Sequence, residues 1–408
     1  MKRLTIGYFV DSFFPMIDGV AMVVDNYAKR LSKVADVIVF APKPVKGDYD
    51  DSIFPYKVVR CNSLSLPYID YNLPTPKIDP GFIKELNKYR LDVVHIHSPA
   101  TLGQIGVKYA KKNNTLLIGT LHSQYKQDIM RTVKSERITN ILLKNVVHVF
   151  NQCDEVWTVN KKLIEVFKED YHYKKVPRII PNATDMMPVK DISESKNIIN
   201  KNYNIKQTDK VLLFVGRLNK LKNIMFIVDS LVELNKLKLN YNYKMIFVGS
   251  GQDEKELKKY VFKNNLDDKV IFTGRVEDRD ELARFYVRSD LFLFPSWYDT
   301  NSIVQIEAAS QKTPTVFIEE TVTSSTITNN FNGFTTPNSA FEYAKRINEI
   351  LNDKELLQKV SENAYKTVYK TWDNVVDEVY ELYNNLLEEK VWEWLNEKIS
   401  FNWWRRYW

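Results

Sequence analysis

The chain contains little cysteine and has no long apolar run. Its 408 residues include only two cysteines, Cys61 and Cys153, which lie far apart and outside any C-x-x-C pattern. This scarcity argues against a disulfide framework or a zinc site and favours a reducing, cytoplasmic compartment. No stretch approaches the roughly 18 apolar residues that a membrane-spanning helix requires. The apolar run at 4–10 is cut off by Asp11, too early for a signal-peptide core. Any membrane contact is therefore expected to be peripheral.

Two patterns that bind common cofactors are also missing. The sequence has no G-x-G-x-x-G motif, which argues against a dinucleotide cofactor. No D-x-D pair follows directly on a strand-like apolar run, so we expect a reaction that needs no metal. Short-period repeats and low-complexity tracts are absent as well, which excludes solenoid and fibrous classes.

The remaining composition is that of a soluble globular protein. Hydrophobic residues make up 44% of the chain and charged residues 27%, and the length suffices for two domains of ordinary size. The formal net charge is +7. This moderate excess favours an anionic substrate or an anionic membrane surface, and it is too small to indicate nucleic acid as a partner.

Short apolar runs rich in Val, Ile and Phe alternate with longer helix-like segments. Near-continuous apolar strands between helices predict an α/β fold with parallel sheets covered on both faces. The runs form two series, 5–10, 37–41, 93–97, 116–121 and 156–159, followed by 211–216, 245–249, 270–273, 291–294 and 315–318.

A proline-marked segment at 176–185 and a polar segment at 193–210 separate the two series, which places a domain boundary near residue 186. We predict one domain at 1–186, a second at 187–370, a helix at 371–388 that returns to the first domain, and a Trp/Arg-rich tail at 389–408. Ligands of open parallel sheets bind beyond the carboxyl ends of the strands. The loops that leave those ends, facing a cleft between the domains, are therefore the candidate site.

Two carboxylates eight positions apart, Asp299 and Glu307, follow the apolar run 291–294. The pattern predicts a strand, a polar turn and the N-terminus of a helix. Helix N-termini present unpaired N–H groups and a positive dipole end, which suit phosphate and hydroxyl-rich ligands. A loop aspartate and a solvated helix glutamate remain the simpler alternative.

A basic loop at 216–223 follows the apolar run of the second domain. Arg217 supplies a forked donor and Lys222 a compact positive charge, a combination that suits a diphosphate. Lys220 has the character of an ordinary solvated surface residue.

Together the two segments resemble the G-R-x4-K and E-x7-E signatures of the retaining glycosyltransferases of family 4, whose GT-B fold consists of two Rossmann-like domains. Asp299 stands in place of the usual glutamate, and Thr-Asn-Ser at 300–302 replaces the usual T-F-G. The resemblance implies that Arg217 and Lys222 bind the diphosphate, Asp299 the donor sugar and Glu307 the ribose. It further implies donor-binding positions at Gly19, Gly216, Val276, Thr300, Asn301, Ser302 and Ile303.

His122 ends the apolar run 116–121 and resembles the family histidine at the donor sugar and acceptor. Strand-end placement favours a catalytic role, although a lone histidine is commonly structural. His95 and His97 alternate on the preceding strand, and His97 is the one expected nearer to the site.

No side chain is placed as a nucleophile, so the resemblance implies a front-face reaction. Arg217, Lys222 and helix dipoles would stabilise the departing diphosphate, and Asp299 would orient the sugar. The implied donor is a UDP-sugar, with UDP-glucose or UDP-galactose favoured, and neither a cofactor nor a metal is expected.

Two segments favour a membrane acceptor. Residues 126–150 mix apolar side chains with basic ones, as helices on anionic lipid do. The basic side chains are Lys126, Arg131, Lys134, Arg137 and Lys144. The alternative is a surface helix that packs its apolar face on the sheet. The tail is dense in Trp and Arg, which is typical of bilayer interfaces. Its alternatives are packing on the first domain or self-association.

The sequence thus predicts an enzyme that transfers glucose or galactose from a UDP-sugar to diacylglycerol or a glycolipid on the inner face of the cell membrane. The resemblance is strongest to bacterial diacylglycerol glucosyltransferases. A saccharide acceptor, as in surface-polysaccharide extension, is the alternative within the same class. A non-catalytic nucleotide-sugar-binding protein, an epimerase and a phosphorylase are alternatives from other classes, since fold does not determine function.

Overall fold

The computed structural model describes residues 3–16, 18–44, 47–65, 72–297 and 299–407, with side chains described as far as Trp392. The chain divides into two compact units. Unit 1 comprises Met1–Val159, Leu163–Pro181 and Trp372–Trp408, and unit 2 comprises Asn160–Lys162 and Asn182–Thr371. These divisions lie beside the boundaries predicted at 186 and 370.

Unit 1 alternates strands and helices along most of its length. Its elements are β1 (Thr5–Phe9), α1 (Gly19–Leu31), β2 (Asp36–Pro42), β3 (Lys57–Cys61), β4 (Ser63–Ser65), β5 (Asn72–Pro74), α2 (Pro80–Leu86), β6 (Val93–Ile96), α3 (Thr101–Asn113), β7 (Leu116–Leu121), α4 (Tyr125–Val133), α5 (Glu136–Phe150), β8 (Glu155–Thr158), α6 (Lys161–Glu169) and β9 (Arg178–Ile179). Short 3-10 helices lie at Asp51–Ile53 and Pro76–Ile78.

Seven of the described strands of unit 1 form one sheet in the order β3-β2-β1-β6-β7-β8-β9, with every pair parallel. All six residues of β7 are buried, because helices cover both faces of the sheet. The strand order reverses direction between β1 and β6. Loops that leave these two strands therefore diverge and open a crevice at the carboxyl edge.

The last helix of the chain, α14 (Trp372–Tyr407), belongs to unit 1. Its first turn is held by an ion pair of 2.6 Å between Arg30 and Asp373. Further along, Tyr383 is fully buried, and the Lys390 Nζ donates to Asp154 at 2.7 Å. Of the predicted aromatic tail, Trp392 is 66% exposed, and the side chains beyond it lie outside the described residues.

Unit 2 repeats the same alternation. Its elements are α7 (Ile192–Asn202), β10 (Lys210–Val215), α8 (Ile224–Lys236), β11 (Tyr243–Val248), α9 (Glu254–Lys263), β12 (Val270–Gly274), α10 (Arg279–Arg288), β13 (Leu291–Leu293), α11 (Ile303–Ser310), β14 (Thr315–Ile318), β15 (Phe334–Thr336), α12 (Ala340–Asn352) and α13 (Lys354–Thr367). Short 3-10 helices lie at Lys220–Lys222 and Thr323–Thr326.

The described strands of unit 2 form a six-stranded sheet in the order β12-β11-β10-β13-β14-β15, again with parallel pairs. Its order reverses between β10 and β13, so the loops after these two strands border the ligand crevice expected of such a sheet. The two α/β units with parallel sheets confirm the fold class predicted from the apolar runs. None of the described helices has both the length and the apolar content needed to cross a bilayer.

Candidate active site

The loop after β10 is shaped by close contact with the loop after β11. The Gly216 N–H donates to the Val248 carbonyl at 3.0 Å, and the Leu218 N–H donates to the Ser250 carbonyl at 3.0 Å. A Cβ at Gly249 would lie 2.0 Å from the Gly216 carbonyl oxygen, and one at Gly251 would lie 2.3 Å from that of Leu218. Only glycine permits this approach, so these two residues are more than strand-end turns.

The two basic residues predicted for the diphosphate differ in their surroundings. The Arg217 side chain is exposed, and no ion pair is recorded for it within the part of the chain that the structure describes. Lys222 ends the 3-10 helix that Asn219 caps by accepting from the Lys222 N–H at 3.2 Å. Its ammonium group lies 5.7 Å from the ring centroid of Phe294. Arg217 is thus accessible to a ligand anion, whereas Lys222 is held by its neighbours.

Lys222 and Asp299 form an ion pair between the loop after β10 and the loop after β13. Both side chains are largely buried, with 20% of Lys222 and 17% of Asp299 exposed. The Asp299 Oδ1 accepts from the ammonium, while its buried Oδ2 has no hydrogen-bond partner among the described residues. A buried carboxylate oxygen in this state costs free energy and is available to accept from a ligand hydroxyl.

The same two loops are joined by neutral contacts. The Asn223 side-chain amide donates to the Pro295 carbonyl at 3.2 Å, and Asn223 itself has a φ of +57°. The Ser296 hydroxyl donates to the Leu221 carbonyl at 3.4 Å. The Lys222–Asp299 pair therefore lies in a framework that fixes both loops beside the crevice.

The segment 300–303 is held through its carbonyl groups. The Asn160 side-chain amide donates to the Thr300 carbonyl, and that of Asn182 donates to the Asn301 carbonyl at 3.1 Å. Ser302 precedes α11 without a side-chain cap, and Ile303 is the first residue of the helix. The held carbonyls orient this backbone so that the first turn of α11 presents its N–H groups at the loop.

Glu307 lies within α11 with only 3% of its side chain exposed. Its Oε1 accepts from the Arg279 guanidinium at 2.7 Å, and its Oε2 accepts from the Tyr286 hydroxyl at 3.0 Å. Burial and the adjacent carboxylate raise the pKa of Tyr286, so the phenol stays protonated as a donor. The Arg279 guanidinium also contacts the Thr184 hydroxyl at 3.3 Å.

Arg279 and Tyr286 were not predicted as site residues. Both lie on α10, which the sequence presents as an ordinary amphipathic helix, and no spacing signal links them to Glu307. Only the packing of α10 beside α11 brings them to the carboxylate. Asn182 and Thr184 lie in the proline-marked segment at 176–185, next to which the sequence predicted only a domain boundary.

The loop after β12 completes this edge of unit 2. The Gly249 N–H donates to the Gly274 carbonyl at 2.8 Å, and Gly274 has a φ of +74°. Val276 follows in the loop, and its half-buried side chain packs against the core of the unit. Its role in donor binding stays a prediction.

Unit 1 brings three histidines together at its own carboxyl edge. His97 follows β6 and His122 follows β7, and the His97 Nδ1 lies 2.9 Å from the His122 Nε2. His95 bonds to the Tyr383 hydroxyl at 2.7 Å and to the Thr120 hydroxyl at 2.6 Å. Burial lowers the pKa of all three rings, that of His122 to about 4. They are therefore neutral at physiological pH.

Gly19 is the first residue of α1, and Asp18 caps that helix by accepting from the Ala21 N–H at 2.8 Å. Among the residues that the structure describes, nothing lies within 4 Å of the position that a Gly19 Cβ would occupy. The open space is compatible with a ligand at this helix start, and it remains a prediction that one binds there.

The two parallel-sheet units, with charged loops beyond the carboxyl ends of their strands, have the GT-B fold. The family description "Glycosyl transferases group 1" matches residues 195–367, and "Glycosyltransferase Family 4" matches residues 17–186. The chain belongs to the glycosyltransferases of family 4, as the resemblance of its motifs implied.

Curated and solved proteins agree with this assignment. The alpha-monoglucosyldiacylglycerol synthase of Acholeplasma laidlawii is 25% identical over 374 residues, which cover 88% of this chain and 92% of that protein. Among solved structures, a sucrose-phosphate synthase from Thermosynechococcus elongatus superposes with a TM-score of 0.76 at 22% identity, covering 95% of this chain and all of the other. HepE of Anabaena, solved with UDP and glucose, has a TM-score of 0.72 at 16% identity, covering 94% and 100%.

Proposed function

We propose that this glycosyltransferase moves glucose or galactose from a UDP-sugar to a membrane lipid of the diacylglycerol type, with retention of anomeric configuration. The observation that carries the donor assignment is the Lys222–Asp299 pair, which places a cation and a half-satisfied carboxylate side by side at the β10–β13 crevice. The name of the Acholeplasma relative, a monoglucosyldiacylglycerol synthase, supports the acceptor class, and the UDP and glucose in HepE support the donor class.

In this proposal the nucleotide binds along the carboxyl edge of the unit 2 sheet. Arg217 and Lys222 hold the diphosphate, and the Gly216 loop approaches it closely. Glu307 accepts hydrogen bonds from the ribose hydroxyls. The hydrogen bonds that Arg279 and Tyr286 donate to its carboxylate hold it in the orientation that this contact needs. The backbone at Val276 meets the base. In unit 1, Gly19 at the start of α1 stays a predicted donor-binding position.

The sugar is oriented by Asp299 and by the backbone at 300–303. The unpaired Asp299 Oδ2 accepts from a sugar hydroxyl, which relieves the cost of burying that oxygen. As the bond from the anomeric carbon to the diphosphate breaks, negative charge grows on the leaving phosphate. Arg217, Lys222 and the α11 dipole then stabilise it more strongly than in the ground state. We expect the leaving phosphate to be stabilised in this way without a metal ion.

A lipid acceptor requires a surface that meets the bilayer, and α4 and α5 supply one. Ile138, Ile141 and Leu142 of α5 are exposed, Ile141 by 62%. The opposite face of α5 buries Leu143 and Phe150, so the exposed apolar residues are not the ones that pack on the unit.

Exposed basic side chains accompany these apolar residues along the chain. Lys134, Arg137 and Lys144 are exposed, and they form no ion pair in the described part of the chain. Exposed apolar residues accompanied by cations suit an anionic lipid surface, with the apolar side chains inserted and the cations at the headgroups. This arrangement supports a peripheral membrane site for the enzyme.

The test is UDP release from UDP-glucose and UDP-galactose, measured with vesicles of phosphatidylglycerol containing diacylglycerol. Vesicles of phosphatidylcholine alone are the lipid control, and Arg217→Ala is the protein control. We expect release that needs both diacylglycerol and anionic lipid, and an α-linked glycolipid product by NMR. A β-linked product would refute retention, and turnover only with soluble saccharides would refute the lipid acceptor.

A further inference from the structure

His97 is one of the three buried histidines of unit 1, and the reaction proposed above gives it no role. His97 is 1% exposed, and its Nδ1 contacts the His122 Nε2 at 2.9 Å. Its other nitrogen, Nε2, is buried without a hydrogen-bond partner among the described residues. An aliphatic side chain would fill this position without a buried unsatisfied nitrogen, so packing alone does not account for histidine here.

The surroundings of His97 restrict its ring to one orientation. The edge of the Tyr8 ring approaches it with centroids 5.3 Å apart, and that of Tyr27 with centroids 6.1 Å apart. His95 packs against it at a centroid distance of 4.1 Å. His95 is itself tied through both nitrogens, to the Tyr383 and Thr120 hydroxyls. The ring of His97 is thus held in place by its neighbours, and its Nδ1 is hydrogen-bonded to His122.

The bond between the two rings restricts where their protons lie. A neutral imidazole carries one N–H and one lone pair. A bond between the His97 Nδ1 and the His122 Nε2 needs a proton on one of these atoms and a lone pair on the other. If His97 carries its proton on Nδ1, then His122 also carries its own on Nδ1. If His122 carries its proton on Nε2, then His97 does so as well.

We propose that His97 is a positioning residue for His122, which holds the ring of His122 in place and couples the two imidazoles to the same tautomer. The mixed arrangements place two protons or two lone pairs against each other at 2.9 Å. The ring planes differ by only 19°, with centroids 5.2 Å apart, so the two rings are nearly parallel and meet through the edges that carry these nitrogens. His122 is thereby presented as a neutral imidazole of defined proton position.

The consequence for catalysis rests on the predicted role of His122 at the donor sugar. A histidine that is free to rotate or to change tautomer offers its donor and acceptor at random. His97 restricts this freedom before the substrate binds. Residues that hydrogen-bond to a functional side chain commonly orient it in this way.

The primary test needs no variant. In protein labelled with 15N-histidine, two-bond proton–nitrogen correlations report the tautomer of each ring at neutral pH. We expect His97 and His122 to show the same tautomer, both Nδ1–H or both Nε2–H. Different tautomers on the two rings would overturn the proposal.

Two near-isosteric variants extend the test to activity. The amide of His97→Asn can donate to or accept from the His122 Nε2, whereas His97→Leu can do neither. We expect His97→Leu to lower kcat by roughly tenfold, with little change in KM. His97→Asn should keep most of the activity. Equal losses in both folded variants would overturn the proposal.

His122→Ala separates this inference from the function on which it rests. If His122→Ala retains full activity, the predicted catalytic role of His122 is wrong, while the tautomer coupling is judged by NMR alone. If His122→Ala is impaired and His97→Leu is not, then His122 acts without help from His97.

Discussion

The ion pair between Lys222 and Asp299 joins the two loops on which the donor site depends. The cation comes from the loop after β10, and the carboxylate from the loop after β13, on either side of the point where the strand order of unit 2 reverses. The residues are 77 positions apart in sequence. The contact fixes the carboxylate of Asp299, the residue that stands where the family signature has glutamate.

The pairing of Lys222 and Asp299 predicts that their substitutions are not additive. We expect Lys222→Ala and Asp299→Ala each to lower kcat/KM for the UDP-sugar. The double variant should lose less than the two losses combined, with a coupling of roughly 0.5–3 kcal/mol. Steady-state kinetics of the four proteins in the cycle measure it. Additive losses would show that the pair does not work as a unit.

Arg217 is expected to act through the diphosphate. Arg217→Ala should lower kcat/KM by about a hundredfold, because it removes charge stabilisation that grows as the phosphate departs. Lys220→Ala is the matched control: Lys220 lies three residues away, is exposed and pairs with Glu256. Its kcat/KM should stay within about twofold, since exposed ion pairs contribute little. Similar losses in both variants would indicate a general electrostatic effect of the loop.

Tyr286 is expected to support Glu307. Tyr286→Phe removes the donor to the buried Oε2, which should lower the free energy of unfolding by about 1–3 kcal/mol and weaken UDP binding. Tyr260→Phe, which removes a bond to the more accessible Asp229, is the control. Urea unfolding and calorimetric titration with UDP measure the two effects. Unchanged UDP affinity in a destabilised variant would limit Tyr286 to a structural role.

The exposed apolar face of α5 predicts how the protein binds vesicles. Ile141→Glu should reduce sedimentation with anionic vesicles by roughly tenfold, because it replaces an inserted side chain with a repelled charge. Phe262→Glu is the control, since Phe262 is 72% exposed but lies on α9 of unit 2. Binding should weaken with added salt. Equal losses in both variants would place the membrane contact elsewhere.

The three buried histidines predict a loss of stability on mild acidification. Their pKa values are depressed in the folded protein, so unfolding takes up protons at each of them. Their contribution is complete above the unfolded pKa near 6.5 and declines as the pH falls, for His122 down to about 4.

We therefore expect the free energy of unfolding to fall between pH 6.5 and 5 by up to roughly 1.4 kcal/mol per pH unit for each buried histidine. This window lies above the main titration of carboxylates. His148→Asn and His172→Asn are the controls, since both histidines are exposed. Stability that is constant between pH 6.5 and 5 would contradict the burial of the three rings.

The strands of both sheets could largely be predicted from apolar runs. The run at 116–121 coincides with β7, and that at 315–318 with β14. These strands are covered on both faces. Consecutive residues along each strand are therefore buried, and the strand appears in the sequence as a continuous apolar run. β3, β4, β5, β9 and β15 lie outside the predicted runs. β3, β9 and β15 are edge strands and β4 and β5 form a separate two-stranded sheet, so pairing with a neighbour makes strands of them rather than a continuous apolar run.

Candidate site residues could be proposed from the sequence where the chemistry is local. Arg217 and Lys222 share one strand-end loop, and Asp299 and Glu307 share one loop and helix. The spacing of such residues along the chain therefore carries information. Which of these groups would contact one another was not visible, because the pairing of Lys222 with Asp299 depends on β10 and β13 being neighbours.

By itself, the sequence determined the fold class, the series of strands and the loops that carry charged residues, because periodicity and burial are properties of short segments. Only the tertiary structure decided that Arg279 and Tyr286 support Glu307 and that His97 contacts His122. These contacts join residues on different elements, and their distances follow from sheet order and helix packing, which no short stretch of sequence encodes.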